Sequence, residues 1–188
     1  MPLLFVELDH LAVLRQAGGG RDPDPAHVAL LAELAGAAGI SVTCVRGPAG
    51  VQDRDLRTLR EVVRTPLTFC FPPQDEPINV EDRQAELAAC IATLAGGKVP
   101  TALLVDPAPR EIKAAQRAGA GGVRLHTGRF CWAPDQKTRA AEYEALVNAA
   151  KVAQRLGLPV QAGGGIGYQT IGAIAQIPEI DAVVVGHS

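Results

Sequence analysis

The chain has 188 residues, 47% hydrophobic and 20% charged, a size and balance that fit one domain able to bury a full core. Its formal net charge of -2 offers no basic field to gather nucleic acid or anionic lipid, and no apolar run reaches the roughly eighteen residues of a membrane span. The opening residues MPLLFVELDH lack a basic stretch and carry acids too early for a secretion signal, so the expected location is the cytoplasm, with neither nucleic acid nor membrane as partner.

The first expected strand covers 3–9 and is followed by a loop over 15–21. A helix then starts at Asp24-Pro25, an N-cap followed by proline at the first helical position, with Val28, Leu31 and Leu34 on the 3.6-residue period. The pattern returns as a strand over 40–45, a helix over 53–63 and a strand over 66–71. Pro72 and Pro73 open an irregular acidic stretch, after which 80–94 reads as a helix ended by Gly96-Gly97. A strand over 101–105, a helix over 109–117 and a strand over 122–126 follow. The loop over 127–136 carries Phe130 and Trp132, readable as a lid or as an interface anchor, with the interface favoured. The longest helix, over 138–156, leads into LPVQAGGGIGY at 158–168, then a helix over 169–177 and a last strand over 182–185 that runs into Gly186-His187. Four cysteines, Cys44, Cys70, Cys90 and Cys131, form no CxxC pair, so free and mostly buried thiols are expected rather than a zinc site or a disulfide framework.

Regular strand and helix alternation implies a mostly parallel sheet covered by helices, either an open doubly wound sheet or a barrel. Polar residues recur at strand C-termini along the whole chain, at Asp9-His10, Thr43, Cys70, Asp106, His126, Gly163 to Gly165 and Gly186-His187, which favours the barrel. The expected fold is therefore an α/β (β/α) TIM-type barrel forming one domain over 1–188. A complete barrel has eight units in about 250 residues. Seven strand signals here predict a shortened one, lacking a helix-strand unit between Phe71 and Val80 and a final helix after Ser188. The glycines 163, 164, 165 and 167, placed between a strand and a helix start, read either as an anion-binding turn or as a tight turn without a ligand.

The segments ELDHLAVLRQAGGGRDPDP (7–25), AGISVTCVRGPAGVQDRDLRTLR (38–60), EIKAAQRAGAGGVRLHTG (111–128) and VQAGGGIGYQTIGAIAQIPEI (160–180), with the final VGHS, resemble the pyridoxine 5'-phosphate synthases of vitamin B6 biosynthesis, the PdxJ family. The resemblance spans nearly the whole chain in order. It implies a (β/α)8 barrel that assembles into octamers and condenses 3-amino-2-oxopropyl phosphate with 1-deoxy-D-xylulose 5-phosphate, with no metal and no cofactor. Among the family's functional positions, Asp9, His10, Arg15, His126, Thr127 and Gly128 are present. The family's strand-one asparagine is Glu7, and a phosphate-binding arginine aligns with Gly18, with Arg21 three residues on as a substitute. The acid/base histidine after strand two is Thr43 and its neighbouring arginine is Val45. The general-base glutamate is Cys70, the strand-six glutamate is Arg124, and the catalytic histidine of the AGHG turn is Gly164.

Threonine and glycine do not titrate near neutrality, so the resemblance and its departures together predict that the ring-closing condensation is lost. What remains is a partial phosphate-binding mouth, drawn from Glu7, Asp9, His10, Arg15, Arg21, Arg124, His126, Thr127, Gly163, Gly164, Gly165, Gly186 and His187. Its expected partners are a phosphorylated small molecule or inorganic phosphate, together with a second copy or a paralogous barrel. The alternative is an active synthase or a related phosphate-substrate enzyme. By the resemblance, Glu7 and Arg124 lie on strand faces turned to the barrel interior, and they carry opposite charge; they read either as an ion pair in the pocket or as two solvated charges in an open mouth. Cys70 reads as a packing residue ahead of a nucleophile.

Overall fold

The computed structural model describes residues 1–43, 51–71, 79–96 and 101–186. Seven parallel strands close into a barrel in chain order. They are β1 (Leu3–Glu7), β2 (Gly39–Thr43), β3 (Leu67–Phe71), β4 (Thr101–Val105), β5 (Val123–His126), β6 (Val160–Gly163) and β7 (Ala182–Val185). The helices are α1 (Asp9–Ala17), α2 (Pro25–Leu34), α3 (Asp53–Val62), α4 (Gln84–Gly96), α5 (Pro109–Arg117), α6 (Gly128–Cys131), α7 (Gln136–Arg155) and α8 (Ile171–Ile174). The expected TIM-type α/β barrel is the fold observed. β3 pairs directly with β4 and β7 pairs directly with β1, so the seven strands close the barrel among themselves.

Every strand alternates an inward and an outward side chain, and the outward row packs on the helices. β4 is buried at all five positions, as a strand covered on both faces should be. A large cluster joins Leu103, Val123 and Val160 to Ile112 of α5 and Leu146 of α7, while a second joins Ile40 and Val42 to Leu59 of α3. A third fills the lower barrel with Phe5, Ala182 and Val184. A Cβ on Gly39 would stand 2.6 Å from the Phe5 ring, so glycine there leaves room for the ring. No helix among the described residues is long and apolar enough to cross a membrane.

Three local expectations are corrected. Residues 9–17, read as a strand end and the start of a loop, form α1, because Leu8, Ala12 and Arg15 recur at helical spacing and are buried together. The helix expected over 169–177 shrinks to the single turn α8, with Pro178 closing the segment. Residues 128–131, expected as loop, form the short α6. Of the described cysteines only Cys70 is fully buried, Cys90 and Cys131 being half-buried. Cys44, Val45, Gly97, His187 and Ser188 lie outside the described residues.

Arg15 was expected at the mouth, yet it locks α1 to α3. Its Nη1 and Nη2 donate to Asp55 Oδ1 and Oδ2 at 2.9 and 2.6 Å, both side chains being buried. Asp55 Oδ2 also accepts from the Gln52 amide at 2.9 Å, so one carboxylate caps α3 and holds α1. Burial pushes the Asp55 carboxyl up, but the hydrogen bonds from Arg15 and Gln52 and the charge of Arg15 outweigh it and hold it below the ordinary aspartate range. Its contribution to stability is therefore complete above the ordinary aspartate value and is lost as pH falls through the lower folded-state value. Asp55→Ala, which strands a buried guanidinium, should lower the unfolding free energy by about 3–5 kcal/mol in urea denaturation near neutral pH.

Candidate functional site

The C-terminal ends of the strands gather the polar residues. Glu7 and Phe5 share the inward face of β1, and Arg124 with His126 share that of β5. Arg124 crosses the barrel interior and is 3% exposed. Its Nη1 donates to Glu7 Oε1 at 2.7 Å, its Nη2 to Ser41 Oγ at 2.6 Å and to Gln161 Oε1 at 3.1 Å, and its Nε to Gln161 Oε1 at 3.2 Å. Four strands, β1, β2, β5 and β6, are thereby tied at one level. The opposite charges expected on inward faces do form an ion pair, and the picture of two solvated charges in an open mouth falls away. A Cβ on Gly163 would stand 3.1 Å from Arg124 Cδ, so that glycine leaves space for the arginine stem.

Asp9, the first residue of α1, accepts the Thr43 amide at 2.8 Å through Oδ1, linking the ends of β1 and β2. Burial is the largest influence on both Glu7 and Asp9 and pushes each carboxyl up. For Glu7 the charge and hydrogen bond of Arg124 pull the other way, while the charge of Asp9 adds to the rise. For Asp9 the hydrogen bonds from Thr43 and the charges of Arg124 and His10 oppose it without cancelling it. The mouth thus holds two carboxyls inclined to keep a proton longer than ordinary ones, beside a buried guanidinium.

The glycine turn after β6 is filled by rings of the protein itself. Gly164 and Gly165 have φ of 101° and 72°, where side chains are strained. A Cβ at Gly164 would stand 2.7 Å from His126 Cδ2 and 3.0 Å from Nε2; one at Gly165 would stand 2.5 Å from Trp132 Cζ2. A Cβ at Gly128, at the start of α6, would stand 2.6 Å from His126 Cε1 and from Trp132 Cζ3. The two rings meet edge to face with centroids 6.5 Å apart. Thr127 clamps the turn from β5: its amide donates to the Gly163 carbonyl at 2.9 Å and its hydroxyl to the Gly164 carbonyl at 2.6 Å. The helix start expected to present amides is one turn long, and the Gly167 amide donates to Thr170 Oγ1 at 3.0 Å.

The structure thus brings Glu7 and Arg124 together, puts Gly186 against the Glu7 side chain, and puts Gly163 to Gly165 against Arg124, His126 and Trp132. It sends Arg15 to Asp55 and leaves Arg21 exposed between α1 and α2. Cys70 is 1% exposed and sits in the β3 ladder opposite Thr43 and Ala102, which suits a packing residue. Phe130, expected as lid or interface, is buried against Tyr143, whereas Trp132 is 68% exposed at the mouth. Ser41 and Gln161 escaped the sequence reading, although each is a polar residue alternating with apolar ones on its strand. Among the described residues no group of three His, Cys, Asp or Glu could hold a metal ion.

A closed parallel barrel with its charged groups and glycine turns at the strand C-termini defines a TIM-type α/β barrel protein. A family model described as "Pyridoxal phosphate biosynthesis protein PdxJ" matches residues 4–80 and 73–188, and the chain belongs to that family. It is 35% identical over 215 aligned positions to the pyridoxine 5'-phosphate synthase of Geotalea uraniireducens (strain Rf4), covering 100% of this chain and 90% of that one. It is 37% identical over 215 positions to the synthase of Syntrophobacter fumaroxidans (strain DSM 10017 / MPOB), again covering 100% and 90%. Among solved structures, the Amycolatopsis orientalis BexX/CysO complex superposes with a TM-score of 0.50 at 15% identity, over 99% of this chain and 80% of that one, which speaks to the fold alone.

The raised carboxyls give a pH signature. A carboxyl whose folded-state value is raised contributes stability that is full below its ordinary value and lost as pH rises through the raised one. Glu7→Gln removes that loss. The unfolding free energy of the variant relative to the parent should therefore climb in urea denaturation as pH rises from below the ordinary glutamate value through the raised one; parallel curves would show that Glu7 titrates normally.

Proposed function

We propose that this member of the PdxJ family binds phosphorylated small molecules at its barrel mouth and has lost the ring-closing condensation. The observation that carries the reading is the buried Arg124 guanidinium, fixed to Glu7, Ser41 and Gln161 across the barrel interior. Around it, the aligned acid/base positions hold Thr43, the buried Cys70 and Gly164. Thr43 and Gly164 carry no group that titrates near neutral pH and Cys70 is packed into the β3 ladder, whereas each acid or base group contributes roughly 10²- to 10⁴-fold in rate. Ligand binding is supported by what stays at the mouth: Asp9, His10, His126, Thr127 and the positive-φ glycines 164 and 165. The exposed Arg21 supplies a cation for a phosphate group. Kinship with a biosynthetic family supports a cytoplasmic location.

Assembly with a second copy or a related barrel belongs to the same reading. Leu30, Leu31 and Leu34 of α2 are 40%, 53% and 85% exposed, an apolar strip of the kind that interfaces cover. A monomer in sedimentation velocity at micromolar concentration would remove this part.

The test of the main reading pairs two measurements on the full chain. A coupled assay for pyridoxine 5'-phosphate should give no turnover above background, while 1-deoxy-D-xylulose 5-phosphate or inorganic phosphate should raise the melting temperature. Turnover at the rate of an active relative would overturn the loss of condensation, and the absence of any shift would overturn ligand binding.

A further inference from the structure

Trp132 is largely exposed at the barrel mouth, yet its ring has a shaped seat. A Cβ on Gly165 would stand 2.5 Å from Cζ2 and 2.7 Å from Cε2, and one on Gly128 would stand 2.6 Å from Cζ3 and 3.0 Å from Cε3. These atoms lie on opposite edges of the six-membered ring, so the indole bridges the glycine turn after β6 and the start of α6. His126 meets the same ring edge to face, with centroids 6.5 Å apart. Any side chain at Gly128 or Gly165 would take the space the ring occupies.

The seat covers hydrogen-bond donors. Gly165 and Ile166 follow one another in a turn where Gly164 and Gly165 have positive φ, and among the described residues no acceptor meets either amide. Successive amides in such a turn attract an anion. The exposed indole lies against Gly165, so an anion approaching the turn from solvent meets the ring first.

The ring is held loosely and its backbone firmly. Most of the indole surface is already in water, so little apolar area is lost when it leaves the seat. The Trp132 amide donates to the Gly128 carbonyl at 2.8 Å, and Phe130 of the same turn is buried against Tyr143. Rotation about the side-chain torsions therefore uncovers Gly165 without moving α6.

We propose that Trp132 is a plug on the glycine turn: an oxyanion reaches the Gly165 and Ile166 amides only after the indole has swung off its seat. The inference rests on the ligand-binding reading above and adds that the affinity is set by how often the plug is out. A ring off the turn in about a tenth of the molecules makes the apparent affinity about tenfold weaker than that of the open turn.

The test combines calorimetric titration of the full chain with inorganic phosphate and fluorescence of the same samples. The chain has one tryptophan, so its emission reports this ring alone. Trp132→Ala, and Trp132→Phe with a ring too short to bridge both glycines, should each bind phosphate about tenfold or more tightly than the parent. Tyr168→Ala, which removes a fully exposed aromatic ring farther along the same segment, should bind as the parent does. In the parent, saturating phosphate should make the indole easier to quench with acrylamide. Melting curves establish that each variant folds. Equal phosphate affinity in the parent and in both folded Trp132 variants would overturn the plug and leave the binding reading standing. Weaker binding by both variants would make the indole a ligand contact, which also overturns the plug. Phosphate that binds the parent without changing the quenching would show a ring that stays seated, and would overturn the swing. A parent that phosphate does not bind would overturn the binding reading itself.

Discussion

A guanidinium inside a closed barrel sets the terms for everything around it. Arg124 is always charged and is out of water, so its donors must meet acceptors and its charge must meet an anion. Glu7, Ser41 and Gln161 meet that need from three other strands, and their reach fixes the level at which β1, β2, β5 and β6 face one another. The same arginine accounts for Gly163, since any larger residue would press on its stem. Remove the anion and the cation is left buried and unpaired, the costly half of any buried pair. Replace the whole network with apolar side chains and the barrel would lose little stability but also the charge at its centre.

Glycines at the mouth follow a related logic with a different tenant. Their positive φ values and missing side chains would let an anion approach the main chain, yet here they also receive His126 and Trp132. Gly128, Gly164 and Gly165 lie in two separate segments and meet the same two rings, so the room is shaped jointly. A turn can therefore look like a phosphate cradle in sequence while its open space is occupied by imidazole and indole. Ligand chemistry at such a mouth is set by the rings at least as much as by the amides.

Much of the fold was legible because its signals are local. Strand ends at Val105 and Val185 and helix starts at Asp24-Pro25 and Pro109 depend on alternation, capping and proline placement within a few residues. α1 was hidden because the apolar alternation of β1 runs on through Leu8, and the glycines at 18–20 suggested a loop that begins only after Ala17. α8 was overread because Ile171, Ile174 and Ile177 keep helical spacing although Gly172 and Pro178 shorten the run. At the site, Glu7 and Arg124 could be paired in advance because two departures from family residues carried opposite charge on inward faces. The partner of Arg15 could not, since Asp55 lies 40 residues away and its carboxylate also reads as an ordinary member of a helix first turn. Ser41 and Gln161 matter only through the arginine that reaches them, and nothing local marks that reach.

The number of strands and the side chains that cross the interior are geometrically linked. Barrel diameter grows roughly in proportion to strand number, and about eight strands give an interior just wide enough for side chains to fill. Seven strands close here with β3 directly beside β4, and the two stretches that match the family model meet over residues 73–80, between those strands. A narrower interior brings opposite walls within reach of single side chains. Phe5 then spans to Gly39 in the lower layer, and Arg124 spans to Glu7 and Ser41 in the layer above. Small residues face these long ones: Gly39 and Ala182 below, Ser41 and Gly163 above. A barrel with more strands would hold these walls farther apart, so the reach of Phe5 and Arg124 across the interior depends on the small circumference that seven strands set.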